Sequence, residues 1–176
     1  MSRILVAGVG NIFLSDDAFG VEVARRLLPL ARPEGVEVKD FGIAGVHLAY
    51  QLLDGYDALV LVDAVPFGAR PGDLCVMQPE LDDEGDVAVD AHGMQPDAVL
   101  RTLEALGGRV DRVFVVGCQP CSLEEGMELS PPVAASVDLA VETVLELLVE
   151  LTGGGSRAAP HIEVGRDRRV GSRVGP

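Results

Sequence analysis

The chain has 176 residues, with 14 Lys and Arg against 28 Asp and Glu, giving a formal net charge of −14. Its length suits one domain with a full core, and its 48% apolar content excludes a largely disordered chain. The acidic balance excludes a phosphate-tracking nucleic-acid binder and disfavours anionic membranes, and no apolar run approaches the roughly 18 residues of a membrane span.

Aromatic residues make up 4% of the chain and there is no Trp, so the core must be built from Val, Leu, Ala and Ile. Arg3–Gly8 reads as a buried first strand, too short for a signal peptide and leading straight into a glycine turn. The loop Gly8-Val9-Gly10-Asn11-Ile12-Phe13-Leu14-Ser15-Asp16-Asp17 follows. Ala18–Ala31 has helical spacing, with Val21, Ala24, Leu27 and Leu28 on one face and Ser15 or Asp16 as its cap. Val36–Phe41 alternates as a second strand, and Val46–Leu53 reads as a short helix after Gly42 and Gly45. Ala58–Val65 is almost wholly apolar, as in a central strand covered on both faces. Asp73–Gln78 is a weaker strand, and Asp82-Asp83-Glu84-Gly85-Asp86 reads as a solvated loop.

Pro96–Leu106 is helical and Arg112–Gly117 is a strong strand. Ser130-Pro131-Pro132 has the form of a capping Ser followed by Pro in the first turn. The helix that follows runs to about Leu151, with Val133, Val137, Val141, Val144, Leu148 and Leu151 as its buried stripe. Asp138, Glu142, Glu146 and Glu150 read as its solvated face. From Gly153 the composition changes to a Gly- and Arg-rich tail, expected to be disordered, so that residues 1–152 form the single folded domain. Strands alternating with helices imply an α/β/α sandwich with a mostly parallel sheet, whose ligands sit beyond the carboxyl ends of the strands. Three cysteines, an odd number, fit a reducing compartment and hence the cytoplasm.

Asp17 follows the first strand, Asp63 ends the third and His92 precedes a helix, so all three can meet at that edge. Two carboxylates and an imidazole suit a divalent transition metal, with zinc or nickel favoured over magnesium. Spacing alone leaves helix capping equally open for the two acids. His47 reads as a surface or half-buried helix residue and His161 as a tail residue. Gly8, Gly10 and Asn11 form an incomplete dinucleotide fingerprint in which Phe13 replaces the third glycine. Asp40 ends the second strand, where it can bind a ribose, and the glycines equally suit a tight turn. A nucleotide- or metal-sensing binding module without catalysis is therefore the alternative to an enzyme. Asp16, Asp17 and Asp63 also fit a phospho-receiver, but the lysine that such a site needs is replaced by Gly117-Cys118-Gln119-Pro120. Cys118 and Cys121 have C-x-x-C spacing without a following helix start, and Cys75 reads as core. Ser15, Ser122 and Ser130 lack a nucleophile-elbow context.

The loop from Gly8 to Val21 closely resembles the opening of the nickel–iron hydrogenase maturation proteases. Asp40-Phe41-Gly42-Ile43-Ala44-Gly45, Leu61-Val62-Asp63-Ala64, His92, Gly117-Cys118-Gln119-Pro120 and Leu129-Ser130-Pro131 follow in the family's order, so the likeness spans Met1 to about Leu151. It implies a cytosolic endopeptidase that removes a C-terminal extension from the hydrogenase large-subunit precursor after nickel insertion. It implies a five-stranded sheet with one antiparallel strand, assigned to Asp73–Gln78. It also implies a metal-binding triad of Asp17, Asp63 and His92 that engages nickel presented by the precursor, with zinc or cadmium as stand-ins in vitro. Some relatives carry Glu where this chain has Asp17, so Asp16 can contribute. Bond cleavage is left between a bound metal that polarises the carbonyl or activates water and a carboxylate such as Asp16 or Asp40 acting as base, the latter a peptidase of aspartic type. No role passes to Cys118, Cys121 or the tail.

Overall fold

In the computed structural model, which describes residues 2–79 and 96–153, the strands and helices alternate as their hydrophobic periods require. The strands are β1 Ile4–Val9, β2 Val36–Gly42, β3 Ala58–Ala64, β4 Leu74–Met77 and β5 Arg112–Cys118. The helices are α1 Phe19–Leu27, α2 Gly45–Leu52, α3 Pro96–Ala105 and α4 Pro131–Thr152, with a 3-10 turn at Ser15–Ala18 ahead of α1. The sheet order is β2-β1-β3-β5-β4. All pairs are parallel except β4 with β5, so the weak strand is the reversed one and lies at the edge.

Period-two alternation divides the sheet between two cores. Ile4, Val6, Val60, Val62, Phe114 and Val116 pack against α1 and α4, around Phe19, Leu27, Val137 and Val144. Leu5, Ala7, Leu59, Leu61, Val113 and Val115 pack against α2 and α3, around Leu48, Leu52, Val99 and Leu103. β3 is buried along its whole length, as expected of a strand covered on both faces. The fold is thus a five-stranded mixed sheet with two helices on each face.

Three local expectations are corrected. α1 stops at Leu27 rather than Ala31, because Pro29 has no N–H to donate and restrains the residue before it. Neither Ser15 nor Asp16 caps α1, which grows from the 3-10 turn without a side-chain cap. Ser130 precedes α4 in extended conformation, with Pro131 at the helix start, but its side chain makes no cap. That hydroxyl is drawn to a buried carboxylate instead. The acidic run at 82–86, His92, His161 and residues 154–176 lie outside the described residues.

Candidate active site

β1 connects outward to β2 on one side, while β3 lies on the other. The chain therefore reverses its winding between β1 and β3, and the carboxyl ends of these two strands form the crevice where ligands of open α/β sheets bind. The first loop and the end of β3 deliver Asp17 and Asp63 to this crevice.

Two glycines let α1 descend onto it. A Cβ on Gly20 would lie 1.9 Å from the Val62 carbonyl oxygen and 2.4 Å from that of Val9. A Cβ on Gly8 would meet the Gly20 oxygen at 2.3 Å and the Ala24 methyl at 2.5 Å. Gly20 thus performs the close helix-on-strand packing that the missing third glycine of the dinucleotide fingerprint would have served, and both glycines are accounted for by packing. The sequence signal was present in the small pair Gly20 and Ala24, one helical turn apart. Gly10 has φ +138°, and a Cβ there would sit 1.7 Å from the Asp17 carbonyl oxygen. The turn so closed brings the Asn11 N–H within 2.7 Å of Asp17 Oδ2, while Asn11 Oδ1 accepts from the Phe13 N–H at 2.9 Å.

Asp63 is almost fully buried. Its Oδ1 accepts from the Ala64 N–H at 2.8 Å. Burial, reinforced by the negative charge of nearby Asp17, pushes its carboxyl up to about 8. Among the described residues, each of the two carboxylates has one oxygen aligned by a main-chain N–H and no hydrogen bond or ion pair on the other. This arrangement suits cation binding, because the donors orient each group and leave an oxygen to coordinate.

Asp16 is fully buried, yet its surroundings differ completely. It accepts from the N–H groups of Cys121 at 2.8 Å, Ser122 at 2.9 Å and Ser130 at 2.7 Å, and from the Ser130 hydroxyl at 2.8 Å. Burial pushes its carboxyl up, but the donors from Ser122, Ser130 and Cys121 outweigh that and hold it below the usual carboxylate range. Neighbouring bonds continue the join: Ser15 N–H to Gly126 oxygen at 2.9 Å, the Ser15 hydroxyl to Glu124 oxygen at 2.9 Å, and Gly126 N–H to Phe13 oxygen at 2.9 Å. Ser15 adopts φ +50°, a left-handed conformation rare outside glycine. Asp16 is therefore a clasp between the β1–α1 and β5–α4 loops. Sequence reading missed the β5–α4 loop as its partner, since nothing local marks contacts more than a hundred positions apart.

Asp40 lies on β2, level with Gly8 of β1. Two strand spacings, about 10 Å, separate its backbone from that of β3. Its Oδ1 accepts from the Gly42 N–H at 2.9 Å and its Oδ2 pairs with Arg25 at 3.4 Å. His47 is exposed on α2. Cys75 and Cys118 are buried, Cys121 is exposed, and all three are free. Burial pushes the Cys75 thiol up to about 11 and raises that of Cys118, so neither supplies a thiolate near neutral pH. Among the described residues, no three His, Cys, Asp or Glu side chains group closely enough to hold a metal by themselves.

The comparisons with known proteins agree with this architecture. Residues 21–147 match the family HycI, hydrogenase maturation protease. The hydrogenase expression/formation protein HupD of Rhodobacter capsulatus is 35% identical over 165 residues, covering 88% of this chain and 77% of HupD. The hydrogenase 2 maturation protease of Escherichia coli K12 is 34% identical over 155 residues, covering 84% and 92%. The solved hydrogenase maturating endopeptidase HybD from E. coli superposes with a TM-score of 0.71 at 33% identity, covering 85% of this chain and 94% of that one. The chain belongs to the hydrogenase maturation proteases and, with them, is a peptide-bond hydrolase.

Proposed function

We propose that this chain is the endopeptidase that removes the C-terminal extension of a nickel-loaded nickel–iron hydrogenase large-subunit precursor in the cytoplasm, sensing the metal through Asp17, Asp63 and His92. The observation that carries this reading is the pair of oriented carboxylates at the β1/β3 crevice. Each keeps an oxygen unengaged by any described residue. His92 precedes the first residue of α3, Pro96, by four positions, a reach of at most about 14 Å of chain. Strand alternation turns Asp63 toward the face of the sheet that carries α3, since Leu61 and Val65 belong to that core. Nickel enters as part of the substrate, and there it can polarise the carbonyl of the bond to be cut or the attacking water. A precursor without metal lacks this contact, which makes cleavage conditional on completed insertion.

Asp16 and Asp40 fit the part of general base poorly. A carboxylate that accepts four hydrogen bonds and is held below its usual range is a weak base, and Asp16 serves to join the β1–α1 and β5–α4 loops. Asp40 is engaged by Arg25 and the Gly42 N–H. Exchanging Asp17, Asp63 or His92 for Ala is expected to cut processing of the nickel-loaded precursor at least about a hundredfold, a scale typical of lost metal-site groups. Full processing by all three variants, read by gel shift of the large subunit, would remove the triad from the mechanism.

A further inference from the structure

The two most exposed large apolar side chains among the described residues are Ile43 at 76% and Met127 at 72%. Phe13 at 60% and Leu123 at 44% accompany them. All four lie in loops leaving the carboxyl edge of the sheet: Phe13 after β1, Ile43 after β2, and Leu123 and Met127 after β5. The main chain ties these loops together. Gly10 N–H donates to Gly42 oxygen at 2.9 Å beside Ile43, and Gly126 N–H donates to Phe13 oxygen at 2.9 Å beside Met127. The Asp16 clasp fixes the strand-side end of the Leu123 loop. The rim is thus held in shape before any partner arrives, which lowers the ordering cost of binding.

Glu124, Glu125 and Glu128 are interleaved with the apolar groups, exposed and without an ion pair among the described residues. An apolar patch beside a crevice marks an interaction surface. A second copy of this chain is a poor occupant, because a two-fold contact would set one acidic rim against its twin. A polypeptide crossing the crevice beside Asp17 and Asp63 must run along this rim. We infer that Phe13, Ile43, Leu123 and Met127 form the docking rim for the polypeptide substrate, receiving a segment whose apolar side chains are flanked by Lys or Arg. The inference rests on the peptidase reading above and adds the chemistry of the segment that the site accepts.

The test uses nickel-loaded precursor carrying its extension, with wild-type protein and the variants Ile43→Asp, Met127→Asp and Val149→Asp. Val149 is comparably exposed but lies on α4, away from the crevice. The first two variants are expected to raise KM about tenfold, with kcat within about twofold, while Val149→Asp leaves both unchanged. Wild-type KM should rise with salt, and the triple change Glu124→Gln, Glu125→Gln and Glu128→Gln should abolish that dependence. Ile43→Ala and Met127→Ala replace any Asp variant that melts more than a few degrees early. An unchanged KM for both rim positions, a loss confined to kcat, or an equal effect at Val149 overturns the rim. So does a concentration-dependent dimer that Met127→Asp dissolves. If wild-type protein does not process the precursor, the peptidase reading fails separately. The rim is then judged on the precursor Kd, where tenfold weaker binding by the rim variants alone supports it and equal binding overturns it.

Discussion

Asp16 and Asp63 are the same residue type, both buried at one edge of the sheet, and the fold drives their acidities in opposite directions. Four donors compensate the burial of Asp16, whereas Asp63 has one main-chain donor and a neighbouring negative charge. The Asp63 carboxyl rises from an ordinary value of 3.8 to about 8. Since its folded value lies above its unfolded one, the folded chain keeps this proton longer. Between about pH 4 and pH 8 the unfolded state binds fewer protons, so stability falls as pH rises. Asp63→Asn removes that penalty. It is expected to melt several degrees above wild type at pH 8.5, corresponding to about 1–3 kcal/mol, and the two should converge near pH 4. Calorimetry over this range checks the claim, and a gap that does not change with pH refutes it. A carboxylate kept at a cost to stability belongs at a functional site. The sequence shows Asp16 and Asp17 as an adjacent pair of acids. Which one is a clasp and which faces the crevice depends on donors contributed from residues 121–130.

At the scale of elements, the site depends on how closely α1 sits against the ends of β1 and β3. Gly20 is the pivot, because carbonyl oxygens of both strands occupy the space a methyl would need. Gly20→Ala is expected to cost about 2–3 kcal/mol by forced displacement of the helix. It should also reduce processing, since the turn carrying Asp17 moves with α1. Gly55→Ala is the informative control: nothing lies within 4 Å of the added methyl, and only its φ of +82° opposes the change. Its cost should be about 1 kcal/mol, with activity intact. Chemical denaturation of both variants gives the comparison. Apart from the C-terminal end of α1, the strands and helices were legible to within about a residue, from their periods or, for β3, from a continuous apolar run. The caps were not. Ser130 has every local feature of a helix cap, yet its hydroxyl serves Asp16, since satisfying a buried carboxylate outweighs capping a helix end open to solvent.

The whole molecule carries a formal charge of −14. Its ion pairs among the described residues each include an exposed partner and contribute at most about 1 kcal/mol apiece. Self-repulsion is therefore the larger electrostatic effect. Raising NaCl from about 20 mM to about 500 mM is expected to increase Tm by a few degrees by screening that repulsion. A fall in Tm, measured by scanning fluorimetry, would show that the pairs dominate. The same acidity that disfavours nucleic acid and anionic lipid is what the two proposals above draw on, for a cation at the carboxyl edge and for a basic polypeptide along its rim. By itself the sequence determined the order of elements and the placing of Asp17 and Asp63 after their strands, because these follow from local periodicity and chain connectivity, while the reversal of the weak strand was implied only by the family resemblance. Only the tertiary structure decided that Asp16 is a clasp, that Gly20 seats α1 on two strands, and that Phe13, Ile43 and Met127 share a rim. Each of those depends on atoms brought together from distant parts of the chain, where burial and hydrogen bonding act and local propensity does not.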